Sequence, residues 1–318
     1  MLFASFKRLV TLLAAGSLVA CAEDADSTAA YDPVTMDAPD IDADNPPTTI
    51  ELMLESAGAS LNGHFYLANG AGPHPTVILL HGLPGNEKNL DIAQAARRAG
   101  FNVLFFHYRG AWGSEGDYSF THVVEDALAA GEFVHSEKAI AEYRVDPARV
   151  TYLGHSMGGF AALNAGARDK QAVCIGAMSP PDMSIIAAAF ADEGARAGFA
   201  AYMDSIGELQ SDVDTENKFG PLRGIDGAAA TAEIMEMGKT TSNAGLAPEF
   251  AGRSVLLTAA KGDTAVQPDV FHDPVAAVYG ADPAISFTQE MFESDHSYSW
   301  ERVALARTIV GWLEAECR

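Results

Sequence analysis

Short apolar runs alternate with longer amphipathic segments over most of the chain. Runs without any charged residue are typical of strands buried on both faces of a sheet, and they lie at 77–80, 103–106, 150–153, 173–178 and 254–259. The segments between them have helical spacing, as at 89–99. Because strands and helices alternate, we predict right-handed crossovers and an α/β fold with a mostly parallel central sheet and helices on both faces.

Two regions depart from this alternation. Residues 50–55 and 61–66 alternate apolar and polar positions, which predicts a strand pair joined around Gly58. Residues 182–248 are rich in Ala, Met, Glu and Gly without a strand pattern, so we predict a helical insertion that caps one end of the sheet. We expect its large apolar side chains to form the cap's own core rather than to contact a substrate; they are Met203, Phe219, Met235 and Met237.

The C-terminal part of the chain returns to the alternating pattern. After the run at 254–259 we predict a helix at 268–279, a strand at 285–292 and an amphipathic helix that closes the chain. The folded domain is therefore expected to span residues 50–318.

Residues 1–21 have the organisation of a signal peptide. Lys7 and Arg8 precede an apolar stretch at 9–20, which is too short to span a bilayer. The segment ends Leu-Val-Ala-Cys and resembles the lipobox of bacterial lipoproteins, which implies that Cys21 is acylated and becomes the mature N-terminus. Ala22 resembles the residue found in lipoproteins sorted to an outer membrane. We expect a lipid-anchored protein of the cell envelope facing the periplasm; an ordinary secretory signal would instead give a soluble periplasmic or secreted protein.

Residues 22–49 are acidic and contain neither Lys nor Arg. A segment with few apolar side chains and unbalanced charge does not offset the entropy of folding, so we predict a disordered tether. The whole chain carries a formal net charge of -23. Phosphate contacts need a basic surface, and this charge therefore argues against nucleic acid as a partner.

Cys174 and Cys317 leave two alternatives open. They would pair in an oxidising compartment if their Cα atoms came close enough, or they would remain two separate thiols with Cys174 buried as a small apolar residue.

The chemistry of the chain centres on residues 154–158, Gly-His-Ser-Met-Gly. An apolar strand precedes this pentapeptide and a helix of small residues follows it. A serine on such a sharp turn has its hydroxyl clear of the backbone, and the glycines avoid collisions with neighbouring elements. Ser156 is therefore our candidate nucleophile.

A serine nucleophile needs a base, and the base needs a carboxylate to fix its tautomer. His296 is the histidine that follows the last predicted strand, and Asp263 directly follows the strand before it. Reactive groups of an open α/β sheet collect at the carboxyl ends of the strands, so we predict a Ser156, Asp263 and His296 triad. Asp269 and Asp295 are the alternative acids.

Two further features complete the predicted site. The backbone amides of Met157, after the nucleophile, and Leu83, after the strand at 77–80, are the candidate donors to an oxyanion. Trp112 and Tyr118 either line the substrate pocket or pack under the cap.

Taken together, these motifs resemble a known family. His-Gly-Leu-Pro-Gly at 81–85, Tyr-Arg-Gly and Trp-Gly-Ser-Glu-Gly within 108–116, the pentapeptide, Gly-Asp at 262–263 and His296 are similar to the α/β-hydrolases. Within these they look most like the prolyl-oligopeptidase and dipeptidyl-peptidase branch, which includes many esterases. The resemblance implies no metal and no organic cofactor. Peptidases of that branch usually carry an N-terminal propeller, whereas here only the acidic segment precedes the domain.

We therefore expect a serine hydrolase acting on a small carboxylic ester through an acyl-enzyme. The alternatives are a peptidase, aminopeptidase or acyltransferase with the same machinery, and a non-catalytic hydrolase fold that binds a partner.

Overall fold

A single twisted sheet organises the part of the chain described by the computed structural model, residues 30–208 and 221–318. Eight strands of these residues pair in the order β1-β2-β4-β3-β5-β6-β7-β8. The pairs β1–β2 and β2–β4 are antiparallel and the remaining pairs are parallel. The strands are β1 (Thr48–Ser56), β2 (Ala59–Leu67), β3 (His74–Leu80), β4 (Asn102–Phe106), β5 (Val145–His155), β6 (Ala172–Met178), β7 (Ser254–Ala260) and β8 (Ser286–Phe292).

Helices cover both faces of this sheet, as the alternating pattern predicts. One apolar core lies between the sheet and the face that carries α2 and α4, and the other lies under α1 and α10. The helices outside the cap are α1 (Leu90–Arg98), α2 (Phe120–Val134), α3 (Glu137–Tyr143), α4 (Met157–Arg168), α8 (Pro268–Phe271), α9 (Asp273–Ala281) and α10 (Arg302–Glu316). Helices α8 and α9 replace the single helix predicted at 268–279, because the helix is interrupted at His272, before Pro274.

The predicted cap lies between β6 and β7. It contains α5 (Met183–Ala189), α6 (Glu193–Glu208), α7 (Gly227–Met237) and a 3₁₀ helix (Ala244–Phe250). Met203 is buried and Met237 packs against the core, as predicted. Met235 is 41% exposed, so its predicted place in the cap core is wrong; it lies on the outer face of α7. Phe219 falls outside the described residues.

The acidic segment differs from its prediction. The predicted signal peptide, Cys21 and residues 22–29 lie outside the described residues, but residues 32–49 are ordered against the domain. The Asp32 carboxylate accepts a hydrogen bond from Arg307 at 2.7 Å, and the Asp42 amide donates to Asn69 at 2.9 Å. The prediction of a disordered tether is therefore wrong for residues 32–49. Groups remote in sequence hold this segment, because Arg307 offsets the charge of Asp32 and the Asn69 side chain accepts the Asp42 amide.

A disulfide bond resolves the two alternatives left open for the cysteines. Cys174 in β6 and Cys317 at the end of α10 are joined, with their Cα atoms 5.9 Å apart. The bond links β6, an inner strand of the sheet, to the C-terminal helix. Within residues 30–208 and 221–318, no helix has the length and apolar character needed to cross a membrane.

Candidate active site

Ser156 occupies the sharp turn between β5 and α4. Its φ of 55° lies in the left-handed region, which a residue with a side chain adopts only when its surroundings enforce it. The flanking glycines explain how the turn is enforced. A Cβ on Gly154 would lie 2.0 Å from the carbonyl oxygen of Gly158, and one on Gly158 would lie 2.1 Å from that of Leu80. Close packing of strand and helix thus holds the serine in its strained conformation.

Asp263 and His296 form a hydrogen-bonded pair beyond β7 and β8. The Nδ1 atom of His296 lies 2.6 Å from Oδ2 of Asp263. The other carboxylate oxygen accepts the amides of Ala265 at 2.9 Å and Val266 at 2.8 Å, which fixes its orientation. Burial favours a higher pKa for Asp263, but the His296 hydrogen bond and the two amides outweigh it and hold the pKa below its usual value. The carboxylate is therefore ionised at neutral pH.

Ser156 and His296 face the same cavity, of about 340 Å³, between the sheet and the cap. Leu83 and Met157, the predicted oxyanion donors, also line it. The cap contributes Met183, Ile186, Phe199, Tyr202 and Ile234, and the opposite wall contains Pro181, Ala265, Val266 and Phe271. The structure thus brings the predicted nucleophile, base and oxyanion residues together, with Asp263 behind His296 and a wall that is otherwise mostly apolar.

The loop that carries Leu83 is held on both sides by side chains. The His81 ring Nδ1 donates to the Gly82 carbonyl at 2.7 Å, and the Trp112 indole donates to the Pro84 carbonyl at 2.7 Å. Among the turn and loop hydrogen bonds of the described residues, none uses the amide of Leu83 or Met157. Both N–H groups are therefore available to an acceptor beside Ser156.

The structure does not bring Trp112 or Tyr118 to the cavity wall. Trp112 is 37% exposed, with Lys88 Nζ 5.0 Å from the centre of its ring. Tyr118 is buried and its ring packs edge-on against Phe120. Their predicted substrate contact is thus not made in this cavity, because the indole is bound to Pro84 and the phenol belongs to the core.

Other histidines near the site are neutral scaffold. Nδ1 of His107 lies 3.2 Å from Nε2 of His81. Burial lowers the pKa of His81 to about 4 and that of His107 to about 3, so neither ring is charged at neutral pH. Within the described residues, no group of His, Cys, Asp and Glu side chains has an arrangement that suits a metal ion.

The cavity-lining residues of the cap were not identified from the sequence. Phe199 and Tyr202 lie in α6 and Ile234 in α7, where their spacing suits any amphipathic helix. His155, the residue before the candidate nucleophile, was also not identified as part of the site from the sequence. Its position inside the pentapeptide was the one available signal of a role.

The sheet order and the strained turn at Ser156 are features of the α/β class of hydrolases. The sequence places the chain in the same class, since residues 77–309 match the alpha/beta hydrolase family. The chain therefore belongs to the alpha/beta hydrolase family, and the predicted fold is confirmed.

Similar proteins include both esterases and a peptidase. An uncharacterized protein of Mycobacterium tuberculosis is 33% identical over 107 residues, which cover 33% of this chain and 36% of that protein. An esterase of Pyrococcus furiosus has a TM-score of 0.59 at 16% identity, covering 86% of this chain and 92% of its own. An acylaminoacyl peptidase of Pyrococcus horikoshii has a TM-score of 0.57 at 14% identity, covering 85% of this chain and 42% of its own. At these identities the two structures share the fold alone.

Proposed function

We propose that the protein is a serine hydrolase that cleaves carboxylic esters through an acyl-enzyme. The observation that carries this proposal is the convergence of two independent parts on one cavity. The strained turn presents Ser156, and the loops after β7 and β8 present His296 already hydrogen-bonded to Asp263. A nucleophile, a base and an orienting carboxylate are the groups that acyl transfer needs.

Each group has one task in the proposed reaction. Because Nδ1 of His296 donates to Asp263, its Nε2 is free to take the proton of the Ser156 hydroxyl. The serine oxygen then bonds to the ester carbonyl carbon, and the amides of Leu83 and Met157 donate to the developing oxyanion. Collapse of this tetrahedral intermediate breaks the ester C–O bond, and His296 returns the proton to the departing alcohol. His296 then takes a proton from water as the water oxygen bonds to the acyl carbon. The bond between that carbon and the Ser156 oxygen breaks, His296 returns the proton to the serine oxygen, and the acid is released.

The cavity indicates the substrate class. Among the described residues, those that line the cavity are apolar apart from Ser156, Tyr202 and His296. This lining favours an uncharged, apolar acyl group. A water-sized group occupies about 30 Å³. The cavity of about 340 Å³ therefore accommodates about ten non-hydrogen atoms, which corresponds to a medium-length acyl chain.

Hydrolysis of p-nitrophenyl esters of graded acyl length tests this proposal. Each buried methylene contributes about 0.8 kcal/mol, so kcat/KM is expected to rise about fourfold per methylene from acetate to about octanoate and then to fall. Ile234→Phe, which fills the cavity, is expected to move the optimum to shorter chains. Met235→Phe, the matched control on the exposed face of α7, is expected to leave it unchanged.

Two results would contradict the proposed substrate class. One is a rate that does not depend on acyl length. The other is faster cleavage of aminoacyl or peptidyl p-nitroanilides than of any ester, which would favour a peptidase.

We also propose that the protein is exported and anchored by lipid on Cys21. The lipobox-like sequence supports the anchor, and the Cys174–Cys317 disulfide supports an oxidising compartment.

Expressed in a Gram-negative host, the wild-type protein is expected in the membrane fraction, with a diacylglyceryl-sized mass increase on its N-terminal peptide. Cys21→Ala is expected to lose both the modification and the membrane association. An unmodified wild-type N-terminus in a soluble fraction would disprove the anchor.

A further inference from the structure

His155 connects the two loops that carry the proposed base and the oxyanion donor. It is the last residue of β5, directly before Ser156, and its side chain is buried. Its Nε2 donates to the backbone carbonyl of His296 at 2.7 Å, across a sequence separation of 141 residues. The two imidazole rings lie 4.8 Å apart, centre to centre. His155, which directly precedes the proposed nucleophile, thus holds the backbone of His296, the proposed base.

The same ring also borders the turn before Leu83. A Cβ on Gly82 would lie 3.0 Å from Cβ of Ser156 and 3.6 Å from Nδ1 of His155. The ring therefore lies between the Gly82 turn and the His296 loop. A displacement of this ring would change the spacing of both loops relative to Ser156.

The protonation state of His155 suits a residue that positions its neighbours rather than one that accepts a proton. Burial lowers the pKa of His155 to about 3; charge on the neighbouring His296 ring also lowers it, and the hydrogen bond to the His296 carbonyl opposes this shift without reversing it, so the ring is neutral at neutral pH. Its single N–H is on Nε2, the atom that contacts the His296 carbonyl. Nδ1 is buried without a partner among the described residues. A neutral ring places no charge against the imidazolium that forms on His296.

We propose that His155 is a positioning residue that sets the place of His296 relative to Ser156 through its hydrogen bond to the His296 carbonyl. This role rests on the proposed ester hydrolysis. His155 does not touch the reacting atoms, so its effect is on the rate of the chemical step and not on the apolar binding of the acyl group.

Three substitutions at His155 test the proposal on p-nitrophenyl octanoate. His155→Phe keeps a ring but removes the donor, and is expected to lower kcat about 10- to 100-fold with KM unchanged, since a displacement near 1 Å costs about that much. His155→Gln retains an amide long enough to reach the carbonyl, and is expected to stay within about fivefold of wild type. His155→Asn is one methylene shorter and is expected to be as slow as His155→Phe.

His74 supplies the matched control. It is also a buried histidine whose Nε2 contacts a backbone carbonyl, that of Gly70 at 3.0 Å, but it lies at the opposite end of β3. His74→Phe is expected to leave kcat unchanged. Unfolding midpoints of all variants establish that they fold, and the Gln and Asn pair carries the test should His155→Phe not fold.

The outcomes separate this proposal from the function on which it rests. Wild-type kcat in His155→Phe, or equal kcat in His155→Gln and His155→Asn, would overturn the positioning role while ester hydrolysis stands. A wild-type protein that cleaves no ester would instead overturn the proposed function.

Discussion

Replacing Ser156 with alanine is expected to lower kcat toward medium-chain p-nitrophenyl esters by about 10⁴- to 10⁶-fold. The substitution removes the atom that bonds to the carbonyl carbon, while the oxyanion donors and the apolar cavity remain. The residual rate should therefore exceed that of the uncatalysed reaction, and KM should change little. Steady-state kinetics over a range of ester concentration measures both quantities.

Stability serves as the control for this variant. Alanine at position 156 meets the same left-handed backbone as serine, so the strain of the turn is retained and the unfolding midpoint should move by no more than about 2 °C. Ser297→Ala, which changes the residue after the base and does not line the cavity, should retain kcat within about twofold. Ester hydrolysis at the wild-type rate by Ser156→Ala would remove Ser156 from the mechanism.

Replacing Asp263 with asparagine is expected to lower kcat by about 10⁴-fold with the fold intact. The aspartate oxygen that accepts from His296 Nδ1 at 2.6 Å becomes either an amide N–H donor or a neutral acceptor. A donor there places the histidine proton on Nε2, and that nitrogen then has no lone pair for the serine proton. A neutral acceptor no longer stabilises the imidazolium.

Asp269 is the matched control for this substitution. It was an alternative acid, lies near Asp263 in sequence and is exposed in the first turn of α8. Asp269→Asn is expected to leave kcat unchanged. Equal losses in both variants, or none in Asp263→Asn, would contradict the role of Asp263. Because the pKa of Asp263 is lowered, its carboxylate remains ionised throughout the neutral range, and its protonation lowers activity only as the solution becomes acidic.

The sheet and the reacting side chains were predictable because they depend on local patterns. A strand buried on both faces needs a run of apolar residues, as in β3 and β6. The turn at Ser156 needs glycine at 154 and 158, since any Cβ there would meet backbone atoms. His296 and Asp263 follow their strands directly, and parallel strands bring such positions to one edge.

The features that escaped prediction depend on contacts between remote residues. The acidic segment is ordered in part by Arg307, which composition alone does not connect to Asp32. Trp112 contacts Pro84 instead of the cavity, and the direction of an indole in a loop has no periodic signal. The hydrogen bond from His155 to His296 likewise joins residues far apart in sequence.

In the proposed mechanism Ser156 forms a covalent bond with the acyl carbon of the substrate. Its most direct test is labelling of the wild-type protein with a fluorophosphonate, followed by mass spectrometry of the whole protein and of its peptides. One adduct per chain is expected, located on Ser156 and absent from Ser156→Ala. An adduct on another residue, or none in wild-type protein that cleaves esters, would contradict it.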